Sequence, residues 1–349
     1  MTILTRNASN CRASDKYTDG LVVHKFRFFQ FPPFGNFIIA REFERFCRKE
    51  GLSDYDVLNV HTPAPVIVHS ELPSLLTVHN VLASNTEPLR RGSGVPSLAR
   101  LGAPILGLQE RLCMGHYSSI AAISPIVLNQ IRLHHGAIHK RLDIVGNGVD
   151  TVTFAPEKPE LRGSYILYTG RLHRGKRVDI LIDAFSRIAG AHQDIRLMIV
   201  GDGPSESQLR AFVSDRALNG RVLFAGWLSG DEYVRAVRNA LIYVSPSPSE
   251  GLSTGILEAM ASGVATIAAG ISNNRQVIDP MRNGLLFEPG NADDLAENLL
   301  KLLLNPGLKY VMEQNCRVHT TQMFDWSKIL DNYERILLSV SRDAISHRS

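Results

Sequence analysis

Tryptophan occurs only twice and cysteine only four times in this 349-residue chain. Cys11, Cys47, Cys113 and Cys316 are scattered, with no CxxC pair. That excludes a zinc ribbon and a disulfide framework, and points to reduced thiols in a cytosolic protein. No apolar run approaches the ~20 residues that a membrane-spanning helix needs. The opening MTILTRNASNCR lacks an apolar core of signal-peptide length. Internal repeats and low-complexity tracts are absent too. With 44% hydrophobic and 21% charged residues, the chain is neither disordered, collagen-like nor coiled-coil. At ~100–200 residues per domain, the length predicts two domains.

Charge is unevenly spread. Residues 1–150 hold 16 of the 38 Lys+Arg and 12 of the 34 Asp+Glu, so the net charge of +4 resides there and the remainder is neutral. A mildly basic half suits an anionic ligand or an anionic membrane surface. A solvated basic face would look the same. Nothing beyond this modest basicity supports a nucleic-acid partner.

The second half alternates short apolar runs with helical stretches. Tyr165–Thr169 precedes Val178–Ile188, Ile195–Val200 precedes Glu206–Ala217, and Val222–Ala225 precedes Gly230–Asn239. Leu241–Val244 precedes Thr254–Ala261; Val264–Ala268, Gly284–Phe287 and a helix from Ala292 to Leu303 follow. This alternation predicts βαβ units in a doubly wound parallel sheet, with ligands on the loops beyond the strands' carboxyl ends. The first half reads less cleanly. Val22–Phe26, Val57–Val60, Leu75–Val78, Ser119–Ile123 and Leu142–Val145 are expected strands, and Asn36–Glu50, Ser97–His116 and Pro125–His134 expected helices. Pro156, Pro159 and Gly163 mark 147–163 as linker, and Ser327–Val340 is an amphipathic helix. The expected division is 1–150, 151–325 and a terminal helical segment, 326–349.

Two stretches carry chemistry. Gly170-Arg171-Leu-His-Arg-Gly175-Lys176-Arg177 matches the G-x-x-x-x-G-K of a phosphate loop, but Arg177 stands where the magnesium-holding Ser or Thr belongs. What survives is a glycine-flexed turn that presents Arg171 and Lys176 at a helix mouth, suited to a diphosphate without metal. A solvated basic turn would have the same composition. The second stretch runs from Ser245 to Met260 and sets Glu250 and Glu258 eight residues apart. Gly251 to Gly255 between them supply backbone N–H groups at a helix N-terminus. Each carboxylate can accept paired hydrogen bonds from sugar or ribose hydroxyls.

The strings GRLHRGKR, VGDGP, VLFAGW, EGLSTGILEAMASG and NGLLFEPGN, with Asn147-Gly-Val-Asp150, resemble the C-terminal half of retaining, nucleotide-sugar-dependent glycosyltransferases of the GT-B fold, family 4. The resemblance covers 141–341. It implies an α/β protein with two Rossmann-like domains facing a cleft. It also implies metal-independent transfer of a sugar, with retention, to an acceptor hydroxyl on a carbohydrate, lipid or small molecule. Gly170, Arg171 and Lys176 would meet the donor diphosphate and Glu258 the ribose. Glu250, with Gly251, Leu252, Ser253 and Thr254, would meet the donor sugar, and the loop around Leu228 the base. Asp56–Pro63 and Thr77-Val-His79-Asn80 resemble the family's N-terminal strings more thinly, and make His79 the expected active-site histidine, with His61 a weaker candidate. A lone histidine also serves as a core or capping residue. No cofactor is implied.

Two departures from the family bear on the expectation. Met1–Arg6 resembles the family's second strand, so a β–α unit of about 40 residues is missing before it, from a late start or a natural shortening. The lost strand would be central, which predicts a gapped or rearranged N-terminal sheet of low stability. A central strand supplied from 1–60 would refute this. Ala265 and Gln276 also replace the family's usual Pro and Glu. The alternatives are a nucleotide-sugar-binding pseudoenzyme or partner subunit, and a nucleotide-sugar epimerase on the same fold. Finally, Phe26, Phe28, Phe29, Phe31, Phe34 and Phe37 crowd twelve residues broken by Pro32 and Pro33. They read as core packing, with peripheral docking at the inner membrane face as the functional alternative.

Overall fold

A computed structural model describes residues 2–6, 14–17, 21–26, 45, 55–62, 67, 71–79, 81, 97–136, 140–158 and 163–346. The chain divides into two compact units, 1–145 with 334–349, and 146–333.

In the first unit β1 (Thr2–Arg6) pairs in parallel with β3 (Leu21–Phe26), and β2 (Ser14–Tyr17) pairs antiparallel with β3. A second sheet is wholly parallel, in the order β4 (Leu58–Thr62), β5 (Ser74–Val78), β6 (Ser119–Ala122), β7 (Arg141–Ile144). Among the described residues no strand joins the two sheets. Helices α1 (Ser97–His116) and α2 (Pro125–His135) flank β6 in the chain. Ser124 starts α2: its hydroxyl accepts from Val127 N–H, satisfying one of the donors a helix start leaves unpaired. Behind them Glu110 of α1 and His135 of α2 form a buried 3.0 Å pair. The phenylalanine run beyond Phe26 lies outside the described residues, as does the helix expected over 36–50 apart from Arg45.

The second unit is a six-stranded parallel sheet. Its strands are β8 (Tyr165–Thr169), β9 (Arg196–Val200), β10 (Val222–Gly226), β11 (Ile242–Ser245), β12 (Ala265–Ala269) and β13 (Leu285–Phe287), in the order β10-β9-β8-β11-β12-β13. The order runs outward one way from β8 and the other way from β11. These two neighbours are therefore the switch point, where the loops that follow them diverge and leave a crevice. Both sheet faces are covered, so the strands read as nearly unbroken apolar runs. Ile166, Tyr168, Leu197, Ile199, Ile242 and Val244 pack with α3 (Val178–Ala189) and α7 (Ala292–Leu304). The buried spacing Val178, Leu181, Ile182, Phe185, Ile188 is the stripe a one-sided helix needs. Between these two come α4 (Glu206–Asp215), α5 (Gly230–Arg238) and α6 (Thr254–Ala261). α6 packs on α8 (Pro306–Met323), a helix that the sequence reading did not anticipate.

The last helix, α9 (Trp326–Ser346), begins in the second unit and ends in the first. Its start is tied to the linker. Val149 N–H donates to Phe324 O at 2.8 Å and Trp326 N–H to Val149 O at 3.1 Å. Arg317 of α8 holds the same stretch by donating to the carbonyls of Thr151 and Phe154, and to Ala261 O at the end of α6. No helix among the described residues is long and apolar enough to cross a membrane.

Candidate functional site

The loop beyond β8 is fixed by backbone contacts to the loop beyond β9. Gly170 N–H donates to Val200 O and Leu172 N–H to Asp202 O, while Leu172 O accepts from Ser205 N–H. The approach is so close that a Cβ at Gly201, where φ is +127°, would lie 2.0 Å from Gly170 O. Only glycine meets both demands there. With Leu172 fully buried beneath it, the turn leaves Arg171 exposed. His173 Nδ1 then caps a short 3-10 turn, Arg174–Lys176, by accepting from Gly175 N–H. Arg177 takes a left-handed conformation and its guanidinium forks onto Asp179, with both Nε contacts at 3.1 Å. The residue that departs from the phosphate-loop pattern is thus bound to its own helix. Lys176 instead crosses the switch point, and its Nζ meets Glu250 Oε1 at 2.5 Å, with the two side chains 28% and 17% exposed.

Glu250 sits in the loop beyond β11, which is anchored at several points. Asn273 donates to Glu250 O at 2.5 Å, and Gln276, the residue in place of the family's Glu, donates to Asn273 Oδ1. Asn147 donates to Leu252 O. Leu252 is buried, Gly251 and Ser253 are half-buried, and Thr254 is exposed at the first position of α6. Ser253 is the N-cap residue but its side chain makes no capping bond. Ser253 therefore leaves the first N–H groups of α6 without a side-chain cap, the arrangement that suits a helix start to an anion.

Glu258 is the fifth residue of eight in α6, one turn deeper than a helix-start position. Its Oε2 accepts from Tyr233 Oη of α5 at 2.5 Å. Tyr233 Oη is also 3.4 Å from Thr169 Oγ1, which is 3.2 Å from Tyr243 Oη. Gly255 makes room for these hydroxyls, since a Cβ there would lie 2.3 Å from Tyr243 Oη. Burial raises the Glu258 carboxyl above the usual range and the Tyr233 bond opposes that rise. Burial, reinforced by neighbouring carboxylate charge, pushes the Tyr233 and Tyr243 phenols far up, so both remain O–H donors. Leu228 follows β10, half-buried beside the exposed Trp227.

In the first unit, His79 at the end of β5 meets His61 of the neighbouring β4. His61 Nδ1 and His79 Nε2 are 3.0 Å apart. Asn59 Nδ2 donates to His61 Nε2, and Thr77 donates to Asn59 Oδ1. If Asn59 donates, His61 is protonated on Nδ1 alone and His79 accepts through Nε2, which leaves its proton on Nδ1. Burial lowers both histidines, with His61 pushed down further, to about 4, by the charge of His79.

Of the residues expected from sequence, the structure brings Lys176 and Glu250 into contact and sets Gly170 and Arg171 at the head of the same loop. Gly251 to Thr254 lie at the mouth of α6, Glu258 beneath it and Leu228 beyond β10. His79 belongs to the other unit. Sequence reasoning missed Tyr233, Thr169 and Tyr243. Their only local signal is hydroxyl groups where a strand end and an amphipathic helix would otherwise carry aliphatic residues.

The chain is 26% identical over 338 residues to N-acetyl-alpha-D-glucosaminyl L-malate synthase of Bacillus anthracis, covering 94% of this chain and 85% of that one. The fold matches sucrose-phosphate synthase from Thermosynechococcus elongatus with a TM-score of 0.78 at 18% identity, over 97% of this chain and 89% of the other. It also matches Anabaena HepE, solved in complex with UDP and glucose, at 0.72 and 16%, over 97% and 100%. An α/β fold with two parallel sheets and these structural counterparts gives the protein the GT-B fold. Two family models divide the chain, "Glycosyltransferase Family 4" over residues 1–153 and "Glycosyl transferases group 1" over 151–319. The chain belongs to this glycosyltransferase family, group 1, family 4.

Proposed function

We propose that this chain moves a sugar from a nucleoside-diphosphate sugar to an acceptor hydroxyl with retention at the anomeric carbon, using its own cations in place of a metal. The observation that carries the reading is the meeting of Lys176 and Glu250 at the β8/β11 switch point, from loops 74 residues apart. A cation for the diphosphate and a carboxylate for the sugar hydroxyls stand side by side where a doubly wound sheet binds its ligand.

In this reading Arg171, Lys176 and the N–H groups at the start of α6 take the charge that grows on the departing diphosphate. Fixed donors aimed at developing charge lower a barrier without reorganising during the step. Glu250 and the amides of Gly251 to Thr254 orient the sugar, Glu258 holds the ribose, and the loop at Leu228 lies against the base. The bond from the anomeric carbon to the phosphate oxygen breaks as the bond to the acceptor oxygen forms on the same face. The acceptor proton passes to the leaving phosphate oxygen.

Calorimetric titration with UDP and GDP in EDTA tests this, using the wild type with Arg171→Ala and Glu258→Ala. Binding of one nucleotide without metal, weakened in both variants, is the expected result. Failure of both nucleotides to bind would overturn the assignment. Turnover with an acceptor separates a transferase from a binding subunit, and product formed without any acceptor would mark an epimerase or hydrolase.

A further inference from the structure

Glu258 carries the ribose in the function proposed above, and one of its oxygens is already taken. Tyr233 Oη donates to Glu258 Oε2 at 2.5 Å. The tyrosine is itself held on two sides. Its hydroxyl lies near Thr169 Oγ1, which Tyr243 meets from within the sheet. Its ring stands edge-on to that of Phe154, 6.2 Å between centroids at an interplanar angle of 80°. Phe154 is buried, its N–H donates to Asp150 O, and its carbonyl accepts from Arg317. A run of contacts therefore leads from the linker turn at 150–154 through two aromatic rings to one carboxylate oxygen.

We propose that Tyr233 is the positioning residue of the ribose site: by holding Glu258 Oε2 it fixes the carboxylate so that Oε1 accepts from the ribose hydroxyls. This rests on the assignment of Glu258 to ribose and goes beyond it. A glutamate side chain has three rotatable bonds, and ordering it at the moment of binding subtracts from affinity. Tyr233 orders it beforehand. The bond also favours the ionised carboxylate, which has acceptors only, whereas a protonated one would present an O–H to a hydroxyl. The consequence is selectivity. A fixed acceptor rewards a nucleotide with a 2′-hydroxyl over one that lacks it, and a mobile acceptor rewards it less.

The test measures binding of UDP against 2′-deoxy-UDP, and GDP against 2′-deoxy-GDP, to the wild type, Tyr233→Phe and Glu258→Gln. Melting temperatures are taken alongside. The pair whose ribonucleotide binds is used. The wild type is expected to prefer the ribonucleotide, with the preference abolished in Glu258→Gln. It should shrink about three- to tenfold in Tyr233→Phe while affinity for the deoxynucleotide is kept. A merely structural role for Tyr233 would weaken both nucleotides alike and leave their ratio unchanged. An unchanged ratio in Tyr233→Phe, with the preference lost in Glu258→Gln, overturns this inference and leaves the ribose assignment standing. A ratio unaffected by Glu258→Gln overturns both.

Discussion

Replacing Glu250 by Gln should tighten the binding of a bare nucleoside diphosphate, although it removes a residue of the donor site. Lys176 already has a partner, Glu250 Oε1 at 2.5 Å. A diphosphate that recruits Lys176 must break that pair. Exposed ion pairs contribute ~0.2–1 kcal/mol. This one is short, and its partners are 28% and 17% exposed, so the upper end of that range applies, about 1 kcal/mol. Glutamine keeps the size and an acceptor oxygen but not the charge, and the competition falls by about that amount, or roughly fivefold in Kd. The nucleotide sugar behaves differently. In the proposed function it uses the Glu250 carboxylate for its hydroxyls, so the gain at Lys176 is offset by a lost charge-assisted hydrogen bond. The two ligands should therefore diverge: UDP or GDP binds more tightly and the cognate nucleotide sugar does not. Calorimetry at low and high salt reads both quantities, and the gain for the bare nucleotide should shrink as salt screens the pair. If Glu250→Gln weakened both ligands to the same extent, Glu250 would not compete for Lys176, and the division of labour between the two residues would be wrong.

Two further outcomes follow from the geometry. Gly255→Ala puts a methyl carbon 2.3 Å from Tyr243 Oη and 2.9 Å from Thr169 Oγ1. Thermal or urea unfolding should show a loss of about 1–3 kcal/mol, partly restored by adding Tyr243→Phe, and no loss would mean that the hydroxyl cluster is looser than described. His61 and His79 titrate below their unfolded value of 6.5, so the stability they contribute is whole above pH 6.5 and declines as pH falls toward the His61 value of about 4. Melting temperature followed between pH 7 and 4 should fall less steeply in His61→Gln, and equal slopes would show that the pair is not ionising in that window.

The second unit was largely legible because its signals are local. Its strands are short apolar runs, most of its helices carry a one-sided stripe, and glycines mark the turns between them, so Tyr165–Thr169 was bounded to the residue. The site loops could be placed for the same reason, since ligands bind beyond strand ends. What local reading could not supply was convergence. Lys176 and Glu250 meet only because β8 and β11 pair, and the Tyr233–Thr169–Tyr243 cluster needs α5 laid over that same pair. Tyr243 was read as one more apolar strand residue, yet its hydroxyl makes the contact that matters. The helix over Pro306–Met323 escaped notice because its buried positions, Met312, Glu313, Cys316 and Thr320, mix apolar with polar side chains and draw no clear stripe. β2, Ser14–Tyr17, was missed because its residues are polar. In the first unit His61 was the weaker of two candidate histidines on sequence, and only the parallel pairing of β4 with β5 sets it against His79.

The helix shared by the two units also sets an order of events during synthesis. The second unit is one unbroken stretch, 146–333, whereas the first needs 334–349 in addition to 1–145. Ile336 and Val340, both buried, are among the residues that complete it. A ribosome therefore releases every residue of the second unit before it releases the last pieces of the first. Domains tend to close as units once their chain is out. Here the half made later has its whole chain out before the half made earlier does.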